Sequence, residues 1–155
     1  MPIPPRSEEE LNARLKAFIS SVKGQRGALF SALLMPELVS SSLETGDVIA
    51  SFTATADMRA ADGFMAPGMV AALFDNALGM LSIGQMGNDT FTPTVDLHVN
   101  YYQSVPVGVP LRLHVRKERQ TAQYVFLSAR LYREDDPHTL LGLATGSFYI
   151  SRMPA

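Results

Sequence analysis

The sequence predicts an α+β fold in which one long helix packs with an antiparallel sheet. Three observations predict it. An apolar segment opening at Pro67 and running to about Met86 is long enough for about five helical turns. Four segments with strand-like alternation fill the C-terminal half. Strands and helices do not alternate in the way that builds a parallel sheet, and neither a G-x-G-x-x-G nor a G-x-x-x-x-G-K-[ST] phosphate loop is present.

Taken in order, the chain begins with MPIPPRSEEE, which has no apolar core of a signal peptide, so a cytoplasmic protein is expected. Ser7 and Glu10 have capping-box spacing, and acidic residues crowd the first turn, where the helix dipole favours them. Leu11, Leu15, Phe18, Ile19 and Val22 then recur at helical spacing up to about Lys23. That stripe is expected to pack on the chain's own sheet rather than on a membrane or partner. Residues 1–26 read as an N-terminal helical extension of a single domain spanning 1–155, since no repeat or linker divides the chain.

A short helix is expected over 27–34, ended by Met35-Pro36 because the residue before proline avoids the α region. Glu37 to Leu43 reads as an edge strand. Glu44-Thr45-Gly46 turns into a longer strand from Asp47 to Met58, where Val48, Ala50, Phe52 and Ala54 alternate with polar residues. After the long helix come strands over Thr92–Gln103, Leu111–Arg116, Gln123–Tyr132 and His138–Ser151, the last two separated by a turn at Glu134-Asp135-Asp136-Pro137.

Pro67 suits the first helical position, where its missing N–H is not needed. From Val70 to Ile83 apolar residues cover nearly the whole circumference, which predicts a helix buried on all sides. Gly79 and Gly84 each cost up to about 1 kcal/mol relative to alanine, so something is expected to pack close to them. Into this helix the sequence places Asp75 beside Asn76. A buried carboxylate is expensive and its pKa tends to rise. Asp75 is therefore either a structural hydrogen-bonding group or a catalytic base or nucleophile in a cleft. A membrane span carrying a central carboxylate is disfavoured.

Composition narrows the chemistry. Hydrophobic residues make up 46% and charged residues 18%, and the net charge is −2, so no global field recruits nucleic acid or an anionic membrane. With no cysteine, disulfides, thiolate metal sites and a cysteine nucleophile are excluded. His98, His114 and His138 lack metal-ligand spacing and are expected at the surface, with no metal and no cofactor. Arg116, Lys117 and Arg119 lie in a basic run that ordinarily marks a solvated hairpin face.

The segments GFMAPGMVAALFDNALGMLS, residues 63–82, and FTPTVDLHVNYYQSVPVG, residues 91–108, resemble the phenylacetic-acid-pathway type of thioesterase within the hot-dog superfamily. That family carries a His-Gly-Gly turn, six residues, then an Asp or Glu on the central helix, and later a strand reading roughly [ST]-V-[DE]-x-x-[VI]-x-[FY]. Thr94, Val95, Asp96, Val99 and Tyr101 match the strand, followed by Pro106 and Gly108, and the likeness runs from about Met35 to Ile150.

The resemblance implies a curved antiparallel sheet wrapped around the long helix, with subunits paired into homodimers and often homotetramers. It also implies a site at the dimer interface, where the helix carboxylate of one subunit works near the glycine-rich turn of the other. The implied reaction is hydrolysis of an acyl-CoA thioester to free acid and CoA, the thioester being substrate and no cofactor being needed. In that frame Asp75 activates water or attacks the acyl carbon, and Thr94 helps position water. Ala66, Pro67, Met69 and Asn76 line the substrate, and Arg116, Lys117 and Arg119 meet CoA phosphates.

The match departs at the helix entrance. The family histidine falls on Ala66, its two glycines on Pro67 and Gly68, and an upstream asparagine on Ala60. Proline has no N–H to polarise a carbonyl, and losing one such donor costs roughly a hundred- to thousand-fold in rate. Two readings follow. The N–H groups of Gly68 and Met69, free in the first turn, take over that role, or the protein binds acyl-CoA or another apolar ligand without efficient hydrolysis.

Overall fold

The structure, a computed structural model, describes residues 3–25, 27, 29–86 and 90–152. Helix α1 (Glu8–Lys23) opens on Ser7, whose Oγ accepts the Glu10 N–H at 3.1 Å. The reciprocal arm of the box differs from the expected one. The Glu10 carboxylate accepts from the Arg6 N–H at 2.9 Å and from Arg14 Nη2 at 2.6 Å. Those two bonds, the Arg6 one foremost, hold its carboxyl below the usual range. Leu11, Leu15, Ile19 and Val22 are buried, as the stripe predicts.

A 3-10 turn at Phe30–Leu34 follows, then β1 (Glu37–Ser42) and β2 (Asp47–Phe52). Helix α2 is Pro67–Met86, matching the expected bounds. After it come β3 (Thr90–Phe91), β4 (Thr94–Tyr101), β5 (Leu111–Gln120), β6 (Tyr124–Arg133), β7 (Asp136–Tyr149) and β8 (Ser151–Arg152). Six strands form one antiparallel sheet in the order β1-β2-β5-β6-β7-β4, while β3 pairs with β8. The long helix lies against this sheet in the hot-dog arrangement.

The expected strand from Asp47 to Met58 stops early, at Phe52. Its ladder with β5 ends where Phe52 meets Leu111. The next partner would be Pro110, which has no N–H to donate. The chain leaves the sheet instead, and Ala56–Met58 makes a 3-10 turn. In the other direction β5 runs past Arg116 to Gln120, across a bulge between Lys117 and Arg119.

The core lies between α2 and the inner face of the sheet. Leu113, Val115, Val125, Leu127 and Ala129 are fully or almost fully buried there, with Leu73, Phe74 and Leu78 from the helix. Close approach is set by glycines on β7. A Cβ on Gly142 would sit 3.4 Å from the Phe74 ring, and one on Gly146 would sit 3.1 Å from Leu78 Cδ1. On α2 itself, a Cβ on Gly84 would lie 2.5 Å from Leu15 Cδ2, so that glycine is where α1 docks.

By length and composition α2 could cross a membrane, yet the sheet and α1 cover most of it. It is not buried on all sides, however. Ala72, Asp75, Asn76, Gly79 and Ile83 form a half-buried stripe at helical spacing. The apolar circumference that predicted complete burial includes this stripe, which faces a cleft rather than the sheet. Strand β4 is also only partly covered. It occupies the sheet edge, none of its residues is buried, and Val95 and Tyr101 are 59% and 49% exposed.

Candidate active site

Asp75 sits midway along α2 on the half-buried stripe, and the chain returns past it through Thr92-Pro93 into β4. The Pro93 carbonyl accepts the Tyr149 N–H at 3.0 Å, which pins this return to the end of β7. Thr94, the first residue of β4, then donates its hydroxyl to Asp75 Oδ1 at 2.8 Å. The other carboxylate oxygen has no hydrogen-bond partner among the described residues. Asp75 lines a cleft of about 410 Å³ together with Phe18, Met35, Gly79, Ile83, Phe91 and Phe148, among others. Thr92 lines the same cleft, and its buried hydroxyl has no partner among the described residues. Beside Asp75, Asn76 is turned to another task. Its Nδ2 donates to the Ser31 carbonyl at 3.0 Å and ties the 3-10 segment to the helix.

The helix entrance is built by a short loop. Arg59 bridges Met65, Ala60 donates to the Phe64 carbonyl at 2.8 Å, and Gly63 takes φ +86°, a region that favours glycine. Ala66 donates to the Met58 carbonyl at 2.9 Å, and its own carbonyl accepts from Met69 at 2.9 Å and Val70 at 3.1 Å. The Met69 N–H expected to be free is therefore occupied, because the first turn tightens to 3-10 geometry. The Gly68 N–H has no partner among the described residues, and the space above its Cα is open. Pro67 is exposed, and its carbonyl accepts the Tyr101 hydroxyl at 2.9 Å. Gly68 and Asp75 are seven residues apart on one helix, about 10 Å along its axis.

The basic run is split by the pleat. Arg116 is held by Asp47, its Nε 3.0 Å from Asp47 Oδ1, on the outer sheet face. His114, expected at the surface, is half-buried and reaches the same carboxylate at 2.9 Å. Burial pushes the Asp47 carboxyl up, but the hydrogen bonds and charges of Arg116 and His114 outweigh it and leave the group below its usual range. Lys117 points the other way and donates to Gln85 Oε1 at 3.3 Å, beyond Asp75 towards the C-terminal end of α2. Arg119 is exposed, as are His98 and His138. Among the described residues no group of three or more His, Asp or Glu converges as a metal site would.

Of the residues singled out in the sequence, the structure brings Asp75 and Thr94 together and keeps Gly68 apart from them. Sequence reasoning assigned Tyr101, Phe18 and Ser31 no role at the site. Tyr101 carries a visible signal, a phenol hydroxyl at the end of an otherwise apolar strand face. The other two reach the cleft only through tertiary packing, which leaves no local pattern.

The sequence profile of the thioesterase superfamily matches residues 62–139. No curated protein matches the chain by sequence. Among solved structures, the chain is similar to the Escherichia coli PaaI protein from the phenylacetic acid degradation operon, at 14% identity and TM-score 0.75 over 96% of each chain. It is similar to zebrafish thioesterase superfamily member 2 at 16% identity and TM-score 0.76, over 88% of this chain and 96% of that one. A Streptococcus mutans protein bound to acetyl-CoA matches at 18% identity and TM-score 0.65, over 77% and 91%. At these identities the likeness is one of fold.

Proposed function

The chain belongs to the thioesterase superfamily, and we propose that it hydrolyses acyl-CoA thioesters to the free acid and CoA, with Asp75 as general base or nucleophile. The observation that carries this reading is the Asp75 carboxylate itself. Thr94 orients one of its oxygens, the other has no hydrogen-bond partner among the described residues, and the residue lines a largely apolar cleft. As general base, the free oxygen takes a proton from a water that attacks the thioester carbon. The tetrahedral intermediate then collapses, the C–S bond breaks, and the same proton passes to the departing CoA sulfur. As nucleophile, the oxygen attacks the thioester carbon, the C–S bond breaks, and CoA leaves as a thiolate that takes a proton from solvent. Water then hydrolyses the anhydride to the free acid and restores the carboxylate. A solved relative bound to acetyl-CoA makes the ligand class a natural one for this fold.

Geometry also favours a homodimer, or a pair of them, as the working unit. A thioester oxygen must lie about 3 Å from its donor while the carbon meets the carboxylate or its water. The Gly68 N–H and Asp75 of one helix are about 10 Å apart along the axis, too far to serve one carbonyl. Gly68 of one subunit facing Asp75 of another would meet the requirement. The free edge of β4, with its exposed Val95 and Tyr101, is a ready surface for that pairing. Lys117 and Arg119 are then candidates for the CoA phosphates, whereas Arg116 is held by Asp47.

Thiol release from a panel of acyl-CoA esters tests the reading. The expected result is turnover that Asp75→Asn lowers by roughly a hundredfold or more. Equal background rates in both proteins would sink it. A second reading, an acyl-CoA binder with little turnover, is favoured by Pro67 and by the occupied Met69 N–H, which leave Gly68 as the donor of the first turn. It predicts binding of acyl-CoA with no Asp75-dependent rate.

A further inference from the structure

The cleft beside Asp75 is completed by a part of the chain that lies outside the matched residues 62–139. Helix α1 is seated by Leu15 and Leu11 against Gly84, where a Cβ would come within 2.5 Å and 3.3 Å of their methyls. One turn further on, Phe18 enters the cleft lining. The 3-10 segment is seated by the Asn76–Ser31 hydrogen bond, and Ser31 and Met35 line the same space. Two independent anchors thus hold the N-terminal segment as one wall.

The opposite side is kept open. Gly79 lies one turn after Asp75 on the half-buried stripe, and a Cβ there would meet only Phe148 Cε1, at 3.9 Å. Gly84 is small because α1 presses on it, whereas Gly79 borders empty space. From Asp75 to Ile83 the cleft follows the helix for about 12 Å. That is the extended length of a medium-chain acyl group. Among the described residues Asp75 is the one charged residue in the lining, so the remainder suits an uncharged apolar occupant rather than the phosphate-bearing end of a thioester.

We propose that this cleft holds the acyl chain of medium-length, uncharged apolar acyl thioesters, and that Gly79 and Phe18 set the acceptable length. The proposal rests on the thioesterase reading for its ligand class. Each methylene buried tightens binding roughly three- to fourfold, so selectivity should climb with chain length until the cleft is full. Gly79→Leu puts a side chain into the middle of the cleft, and Phe18→Ala removes part of its wall.

The test compares thiol release from straight-chain esters running from acetyl-CoA to hexadecanoyl-CoA. Equilibrium binding of the same esters is measured on Asp75→Asn protein with and without each cleft substitution. The proposal expects an optimum at hexanoyl to decanoyl. Gly79→Leu should lower the decanoyl-to-acetyl preference by roughly tenfold or more, and Phe18→Ala should move the optimum to longer chains. If no ester is hydrolysed but binding shows this pattern, the enzyme reading fails and the cleft assignment holds. If thiol release depends on Asp75 but neither substitution changes the length preference, the cleft assignment is overturned and the enzyme reading holds. Equal binding of acetyl and decanoyl esters also overturns the assignment.

Discussion

Thr94 gives its hydroxyl proton to one oxygen of Asp75, tying the middle of α2 to the first residue of β4. Thr94→Val keeps the shape and removes the donor. The expected result is a fall in kcat of roughly ten- to a hundredfold, with stability changed by about 1 kcal/mol and activity recovered in Thr94→Ser. Steady-state kinetics beside thermal melts would check it. Asp47 makes a prediction of a different kind. Its folded pKa is depressed, so the stabilisation from Arg116 and His114 is fully present above the unfolded value near 3.9 and is lost as pH falls through the folded pKa. The melting-temperature gap between wild type and Asp47→Asn should be fully open at about pH 5 and close below about pH 4. A gap that widened below about pH 4 would contradict this. Asp75 was legible in the sequence because a carboxylate inside an apolar helix has few cheap explanations. The Tyr101 hydroxyl on the Pro67 carbonyl was not, because it joins residues 34 positions apart and depends on where β4 ends in space.

Helix α2 shows how one sequence signal can stand for two structural causes. Both of its inner glycines suggested close packing, and that holds for Gly84. Gly79→Ala has room, so the gain in helix propensity, up to about 1 kcal/mol, should raise the melting temperature by roughly 2–4 °C. Gly84→Ala gains the same propensity but drives a methyl into Leu15, and overpacking costs about 1–3 kcal/mol. Its melting temperature should stay level or fall, and Gly84→Val should fall clearly. A calorimetric series on these variants checks both signs. The strands carry a similar lesson. The alternation from Val48 to Ala54 was real, since Ala54 is buried, yet the ladder stops at Phe52 because Pro110 stands at the next rung. Periodicity reports which residues face the core, and only the partner strand reports how far the hydrogen bonds run.

At the scale of the whole molecule, the α+β architecture was readable because a long apolar helix and repeated alternation leave few ways to bury both. The position of β4 was not, since a strand pattern looks alike at the centre and edge of a sheet. Its Val95, Leu97, Val99 and Tyr101 alternate with more polar residues, yet in the chain described none of them is buried. The proposed dimer would cover this edge. Val95→Lys should weaken self-association, visible as a lower mass by light scattering at low protein concentration, with thiol release falling in step. A mass unchanged from wild type, with full activity, would argue against pairing through β4. The spacing of Gly68 and Asp75 along one helix also has a genetic consequence. If each site draws its carboxylate from one chain and its N–H from another, two dead proteins can rescue each other. Asp75→Asn and Gly68→Val, the latter shielding its own N–H, would each be inactive alone. Mixed and re-equilibrated in equal amounts, they would form hybrids with one intact site apiece and regain about a quarter of wild-type activity.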